Sequence, residues 1–452
     1  MELVADLHLH SRYSRAVSPK MIVPEIAFWA KRKGIDLVGT ADWTHPSWLK
    51  ELKENLKPAE GGLFSFDQEP EILFLLATEI ASIYSQGGRT RRIHNLVLVP
   101  GFQTAEKIIK VLKKQGANLS SDGRPIVGLS AQNLVDLVLA IDKSCLVIPC
   151  HIWTPWFSLY GSRSGFDSIR ECFGSSAQYI YGIETGLSSD PAMNWPVGEL
   201  KNRAILSFSD AHSLTKLGRE VTVFKTRSAI INAHDGKQGS FPLSRLTYSD
   251  IAGAIRNNPA GRFEIGYTVE FYPQEGKYHW TGHRHCGIKQ PPEETKRRGV
   301  ICPVCGRKLT VGVMDRVRQL ADQDQMDMDR KAIGKTGLNW IRGGSRPPYV
   351  MMVPLPEILA EVLESGIASQ VVQREYERLI ADFDNELDVL LKIPVKEIAG
   401  TSGEKIAMGI KKVREGEVFI DPGFDGEFGK VKIWSEAKKT ALGRKQMSLF
   451  SG

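Results

Sequence analysis

The sequence predicts an α/β chain. A barrel-like assembly covers residues 1–268, a cysteine-rich module 269–312, and a helical region with a terminal hairpin 313–436. Three observations lead there. Short apolar runs alternate with amphipathic stretches through the first 268 residues, the pattern of a mostly parallel sheet covered by helices. His, Asp and Glu recur at the ends of those runs, where barrel enzymes place their chemistry. Near residue 272 the texture changes to a stretch rich in aromatic residues, His and Cys, and then to helical spacing.

The first strand opens at Glu2 and runs into Asp6-Leu7-His8-Leu9-His10. Alternate side chains of a strand share a face, so both imidazoles can address one ion. Residues 24–33 carry helical spacing. Residues 36–40 read as a strand followed by Asp42 and His45, and residues 72–76 as a strand leading to Glu79. Residues 95–99 form a strand preceded by His94, and 105–115 a helix. His151 follows another apolar run. Ala204-Ile205-Leu206 leads to Ser209-Asp210-Ala211-His212. One His-x-His motif means little by itself. Here six of the ten histidines (His8, His10, His45, His94, His151, His212) fall in the series, three more lie beside cysteines, and only His234 stands apart. Such selective use points to a multinuclear metal site.

In the module, His283-x-x-Cys286 and Cys302-x-x-Cys305 give a His-Cys-Cys-Cys set suited to tetrahedral zinc. His279 or His285 could take the place of His283, and a pair of buried thiols without metal is the plain alternative. Four protein ligands close a site, so this zinc is expected to be structural. Cys145, Cys150 and Cys172 are scattered through apolar sequence and read as buried thiols.

Residues 313–412 carry helical spacing, clearest at 356–364, 369–383 and 404–414. Residues 417–420 and 430–434 flank a Pro-Gly-rich loop and read as a hairpin. Lys396 to Ala407 loosely resembles a helix-hairpin-helix, with a simple helix turn as the plainer reading.

A chain of 452 residues suggests two or three domains. Its net charge of +7 is compatible with a polyanionic partner. Basic runs at Arg89-Thr90-Arg91-Arg92, Lys296-Arg297-Arg298, Lys438-Lys439 and Arg444-Lys445 sharpen that reading, although any single run is usually a solvated face. No apolar run approaches a membrane span, and charged residues at the N-terminus argue against a signal peptide. The expected compartment is the cytoplasm, with association to the nucleoid.

Asp6-Leu-His8-Leu-His10, Thr40-Ala-Asp42, Glu79, His94, His151 and Ser209-Asp210-Ala-His212 resemble the polymerase and histidinol phosphatase (PHP) family of metal phosphoesterases, over about residues 1–230. Asp42-Trp43-Thr44-His45-Pro46, His151-Ile-Trp153-Thr-Pro155-Trp156-Phe157, Gly165-Phe166-Asp167-Ser168 and the cysteine module resemble, more narrowly, endonuclease Q, over nearly the whole chain. The resemblance implies a PHP-type distorted (β/α)7 barrel. It also implies a metal-dependent endonuclease that cuts DNA 5′ to hypoxanthine, uracil, xanthine and abasic sites, leaving 3′-OH and 5′-phosphate. A small-molecule phosphatase of the histidinol phosphatase kind is the runner-up.

By the same resemblance His8, His10, Glu79 and Asp210 hold one metal. Glu79 bridges to a second held by His94 and His151, and His212 belongs to a third position, with His45 the weakest candidate. Asp210, His8, Glu79 and His212 are the expected catalytic residues. Trp43 stands where the family has His after the Asp of its second motif, so a third metal's ligands are incomplete. Zinc is expected at both centres, with manganese or magnesium as alternatives at the catalytic one. A nuclease that senses one altered base generally extrudes it, so Trp153, Trp156 and Phe157, with nearby Tyr160, are expected to contact it, with one or two of them as core aromatics the equal alternative. Arg15, or an arginine of 89–92, is expected on the phosphate. Gln446-Met-Ser-Leu449-Phe450 resembles the clamp-binding peptide of replication and repair proteins: Gln446 supplies polar contacts while Leu449 and Phe450 enter an apolar pocket of the DNA sliding clamp.

Overall fold

The computed structural model describes residues 1–227, 242–322, 329–333 and 336–434. The expected clamp-binding residues Gln446, Leu449 and Phe450 lie outside these.

Thirteen strands form the main sheet. Glu2–Asp6 lies parallel to Leu37–Gly39 and antiparallel to Val221–Thr226. Leu37–Gly39 runs parallel to Glu69–Gln86, which pairs antiparallel with Arg89–Val99. Arg89–Val99 pairs in turn with Leu146–Pro149. A separate parallel pair, Gly182–Glu184 and Ala204–Leu206, bridges the remaining gap. Ile152 N donates to Glu184 O (3.2 Å), and Ser207 N donates to Thr222 Oγ1 (2.9 Å). The strands therefore follow one another around a distorted barrel whose ladders break on either side of that pair. Leu3, Leu37, Leu75, Leu96, Ile148, Leu206 and Phe224 are buried in one cluster, so side chains from around the ring meet in a common interior. Helices Val23–Lys33, Phe102–Lys114 and Ala131–Ile141 send their buried faces into a second cluster.

The hairpin is longer than its apolar stretches suggested: Glu69–Gln86 spans 18 residues and Arg89–Val99 eleven. Gly87 and Gly88 turn it, both with positive φ (61° and 70°), as a two-residue hairpin loop requires. The arginines of 89–92 consequently sit in a strand. Arg91 lies over Phe166 (4.0 Å to the ring centre) and Arg92 over Phe157 (5.4 Å).

The expectation of uniform helix over 313–412 is corrected. Asp329–Ile333, Leu338–Arg342 and Tyr349–Met351 are strands, and Tyr349–Met351 extends the main sheet parallel to Phe263–Glu270. An open sheet edge accepts a β-prone segment whatever the helical character around it. Five helices follow: Leu355–Val362, Gln370–Phe383, Glu386–Leu391, Val395–Ser402 and Glu404–Glu415. Gly403 alone joins the last two. A buried ion pair, Lys33 Nζ to Glu386 Oε2 at 2.6 Å, fastens these helices to the barrel, and Glu386 Oε1 also accepts from Leu355 N (3.0 Å). The terminal hairpin is Phe419–Asp421 with Lys430–Lys432. No helix among the described residues is long and apolar enough to cross a membrane.

Candidate active site

The first strand delivers His8 and His10 to a buried floor, and the bridge between Leu9 and Ala211 brings the two distant motifs side by side. Asp6 reinforces this by accepting from Ser209 N and Gly218 N (both 3.0 Å). His10 Nε2 lies 3.2 Å from Asp210 Oδ1 and 3.3 Å from Glu79 Oε2, and His8 Nε2 lies 3.8–3.9 Å from the same two oxygens. Across the hairpin, Ala81 pairs with His94, so Glu79 and His94 face the same side. Glu79 Oε1 is 2.5 Å from His94 Nδ1 and 3.2 Å from His151 Nε2.

Ligand atoms of His8, His10 and Asp210 come close enough to share one ion, and those of Glu79, His94 and His151 a second. His8 Nε2, His10 Nε2 and Asp210 Oδ1 are buried with no hydrogen-bond partner among the described residues. Their mutual approaches are close but not aligned as hydrogen bonds. Three orphaned buried polar atoms converging on one point carry a large desolvation cost, and a divalent cation removes it. The donor set fits a metal centre.

The two carboxylates suit a cation. Burial pushes Glu79 up, but His94 and Arg124 draw it well below the ordinary carboxylate range. Asp210 is likewise held down by His10 and His8 against the effect of burial. Both stay anionic. Burial lowers His94 to about 4, so its ring is neutral near pH 7 and a lone pair is free for coordination.

Each histidine on the floor has an outer partner that fixes its tautomer. His8 Nδ1 faces Glu184 (2.8 and 3.0 Å), which also accepts from His151 N (3.0 Å). His10 Nδ1 faces Asp42 (3.2 Å). Asp42 further accepts from Ser11 N, Ser11 Oγ and Ser14 Oγ, so it orients His10 and has little capacity left for an ion. Asp42, His151 and Asp210 all have positive φ (35°, 29° and 47°). Strain of this kind gathers where function dictates the backbone. Gly186 shows the crowding behind it, since a Cβ there would lie 2.3 Å from His151 Cβ.

The other expected residues lie outside these groups. His45 is the N-cap of helix Pro46–Asn55: its Nδ1 accepts from Trp48 N and its Nε2 faces Ser120 O (3.3 Å), leaving no lone pair for a metal. His212 stands at the rim, its ring 4.7 Å from that of His10 and its Nδ1 on Asp210 O, outside the metal-capable groups. Trp153 is a core residue that donates to Asn194 Oδ1 (2.7 Å) and packs on the buried Tyr160, so it cannot meet a nucleotide. Arg15 is exposed and faces Asp122. The guanidinium of Arg124 lies 3.0 Å from Glu79 Oε2. Trp156 is 36% exposed, and Phe157 packs on His94 at 4.8 Å.

Sequence reasoning missed Glu184 and Arg124. Glu184 ends an apolar run and answers to the same strand-end rule that found Glu79. Arg124 sits in a loop without periodicity and left no signal. Beside the centre lies a largely apolar cavity of about 290 Å³, walled by His151, Pro155, Leu187, Asp210, Tyr278 and His279.

In the module, ligand atoms of His283, Cys286, Cys302 and Cys305 converge as a second kind of site. The turn closes through Gly306 N to Cys302 O (2.9 Å). Burial raises the Cys302 thiol, but the N–H groups of Cys305 and Val304 outweigh it and hold it down to about 6. That favours the thiolate a zinc ion needs.

Comparison with known proteins gives these arrangements a family. A family model described as the MJ0043 C-terminal domain matches residues 354–417. Protein MJ0043 of Methanocaldococcus jannaschii is 31% identical over 283 residues, 62% of this chain, which spans only 31% of that protein's length. YqxK of Bacillus subtilis is 27% identical over 95% of this chain and 99% of its own length. Among solved structures, the lesion-specific endonuclease PfuEndoQ of Pyrococcus furiosus superposes with a TM-score of 0.79 at 31% identity, covering 97% of both chains. The chain belongs to the endonuclease Q family. A second endonuclease Q structure, in complex with a 27-mer duplex carrying an abasic lesion at its active site, superposes at TM-score 0.78 and 32% identity over 96% of this chain and 98% of that one.

Proposed function

We propose that this endonuclease Q relative is a metal-dependent DNA repair endonuclease. It hydrolyses the phosphodiester 5′ to deaminated bases (hypoxanthine, uracil, xanthine) and abasic sites, leaving 3′-OH and 5′-phosphate. The observation that carries the reading is the convergence of His8, His10, Glu79, His94, His151 and Asp210, with orphaned atoms facing inward, in a chain that superposes along its length on an endonuclease Q bound to lesion DNA. Mixed imidazole and carboxylate donors suit zinc, with manganese or magnesium as alternatives. When bound, two such ions would supply an activated water and neutralise the phosphoryl oxygens. The chain's own part is to hold the ligands. Glu184 and Asp42 keep the Nε2 atoms of His8 and His10 turned inward, and Glu79 joins the two groups.

The cavity beside His151 and Asp210 is where an extruded base would lie. Trp156, edge-on to the wall residue Tyr278 (5.4 Å), supplies a flat face. Stacking on an aromatic is worth about 1–3 kcal/mol per base, so Trp156→Ala should slow single-turnover cleavage of a hypoxanthine duplex about tenfold. An unchanged rate would remove Trp156 from the base site.

The overall reading is tested with end-labelled duplexes carrying one hypoxanthine, uracil or abasic site, alongside a phosphomonoester, with and without chelator. Chelator-sensitive cutting 5′ to the lesion is expected. Hydrolysis of the monoester alone would make the protein a small-molecule phosphatase.

The C-terminal Gln446, Leu449 and Phe450 complete the proposal as a tether to the DNA sliding clamp, which raises local concentration on DNA. Deleting residues 446–452 should abolish clamp binding in a pull-down and leave cleavage of short duplexes unaltered. Retained clamp binding would refute the tether.

A further inference from the structure

We propose that Arg124 grips the scissile phosphate through its free guanidinium donors while one donor stays on Glu79. The inference rests on the phosphodiesterase reading above and adds a residue to it.

The loop around Arg124 is fixed on both flanks. Gly123 N donates to Tyr13 O (3.0 Å), and Thr44 Oγ1 donates to Gly123 O (3.4 Å). Arg124 N donates to Asp122 Oδ1 (3.1 Å), and Ala81 N, two residues along the strand from Glu79, donates to Pro125 O (3.0 Å). Only glycine fits at 123, because a Cβ there would lie 2.3 Å from Asp42 Oδ2. The loop is thus pressed against the carboxylate that orients His10, and its arginine is aimed at the centre before any substrate arrives.

The guanidinium is three-quarters buried, with 26% of the side chain exposed. Its Nη1 donates to Glu79 Oε2 at 3.0 Å. Glu79 is the one acceptor of that guanidinium among the described residues, and Arg has five N–H donors in a planar fork. A partly buried cation with spare donors beside a cluster of phosphoryl-transfer ligands suits an oxyanion with two oxygens in one plane. The non-bridging pair of a phosphodiester has that form, and an aligned guanidinium opposes the charge that grows there during displacement. Lysine could offer the charge but not the fork.

Sharing Glu79 gives the proposal a signature that a merely structural role lacks. A cation on Glu79 opposes a metal ion on the same carboxylate, so removing it should leave metal affinity unchanged or higher while cleavage falls. In single-turnover assays on an abasic duplex, Arg124→Gln is expected to lose roughly 10²–10³-fold in rate, on the scale of losing one preorganised charge-stabilising donor. Arg124→Lys should recover part of that loss. Metal retention against a chelator should match or exceed wild type. A wild-type rate in Arg124→Gln, or joint loss of metal and activity, would overturn the proposal. Binding of inorganic phosphate to the metal-loaded proteins, measured by calorimetry, separates this idea from the wider one. It should weaken about tenfold in Arg124→Gln, as expected for losing a charge-assisted contact, even if the wild type cuts no lesion DNA. Equal phosphate binding would refute the role of Arg124 alone.

Discussion

Glu79→Gln is expected to reduce cleavage of lesion-bearing DNA by about three orders of magnitude or more, well beyond the roughly 10–100-fold typical of losing an outer-sphere partner. Glu79 is buried at the meeting point of His10, His94, His151 and Arg124. A neutral amide keeps its size but cannot balance four cationic or metal-binding neighbours. It would also place an N–H among groups that need an acceptor. The protein should still fold, because Ile80, Leu76 and the rest of the strand are buried independently of the carboxylate. Circular dichroism should therefore be unchanged while the divalent-cation stoichiometry drops. A variant that keeps both its metals and its cleavage rate would dismiss the dinuclear centre, since Glu79 is the residue that joins the two groups.

The second large effect concerns the cysteine module. Cys302→Ser is expected to remove one zinc ion per chain and to melt residues 281–310. Structural zinc is worth about 10–16 kcal/mol apparent in small modules, comparable with the ~5–15 kcal/mol net stability of a whole domain. Its elements are short: the strands Thr281–His283 and Ile288–Gln290 are three residues each and the helix Pro292–Arg298 seven, and Ile301 and Val304 are exposed. The reach of the change is local but consequential. Tyr278 and His279, just ahead of its first strand, wall the cavity beside the centre. Limited proteolysis should cut between 283 and 305 in the variant, with lesion discrimination falling alongside. An intact proteolytic pattern with unchanged zinc content would show that the four residues do not hold an ion.

Much of this was legible in the sequence, for reasons that differ by residue. His8, His10, His94, His151 and Asp210 stood out because barrel chemistry gathers at strand ends and because histidine is scarce elsewhere in the chain. The paired two-residue spacings of the module announced themselves for the same kind of reason, a fixed geometry written into a short segment. What stayed hidden depends on tertiary placement. Arg124 reaches Glu79 only because its loop is pinned against Asp42 and the strand bearing Glu79. Trp153 and Trp156 lie three residues apart in one aromatic segment, yet one fills the core and the other meets solvent, and no local pattern separates them. His45 looked like a ligand because its type was right. The helix that begins at Pro46 takes its lone pair instead.

The hairpin turn at Gly87-Gly88 has a reach that its distance from the chemistry hides. Glu79 lies eight residues back along the strand, about 25 Å at strand rise. The pairing of Ala81 with His94 puts Glu79 and His94 on one face only while the strands keep step. Adding or deleting one residue at the tip would rotate His94 to the opposite face. The ribbon therefore works as a vernier, with its zero set at the surface and its reading taken at the metals.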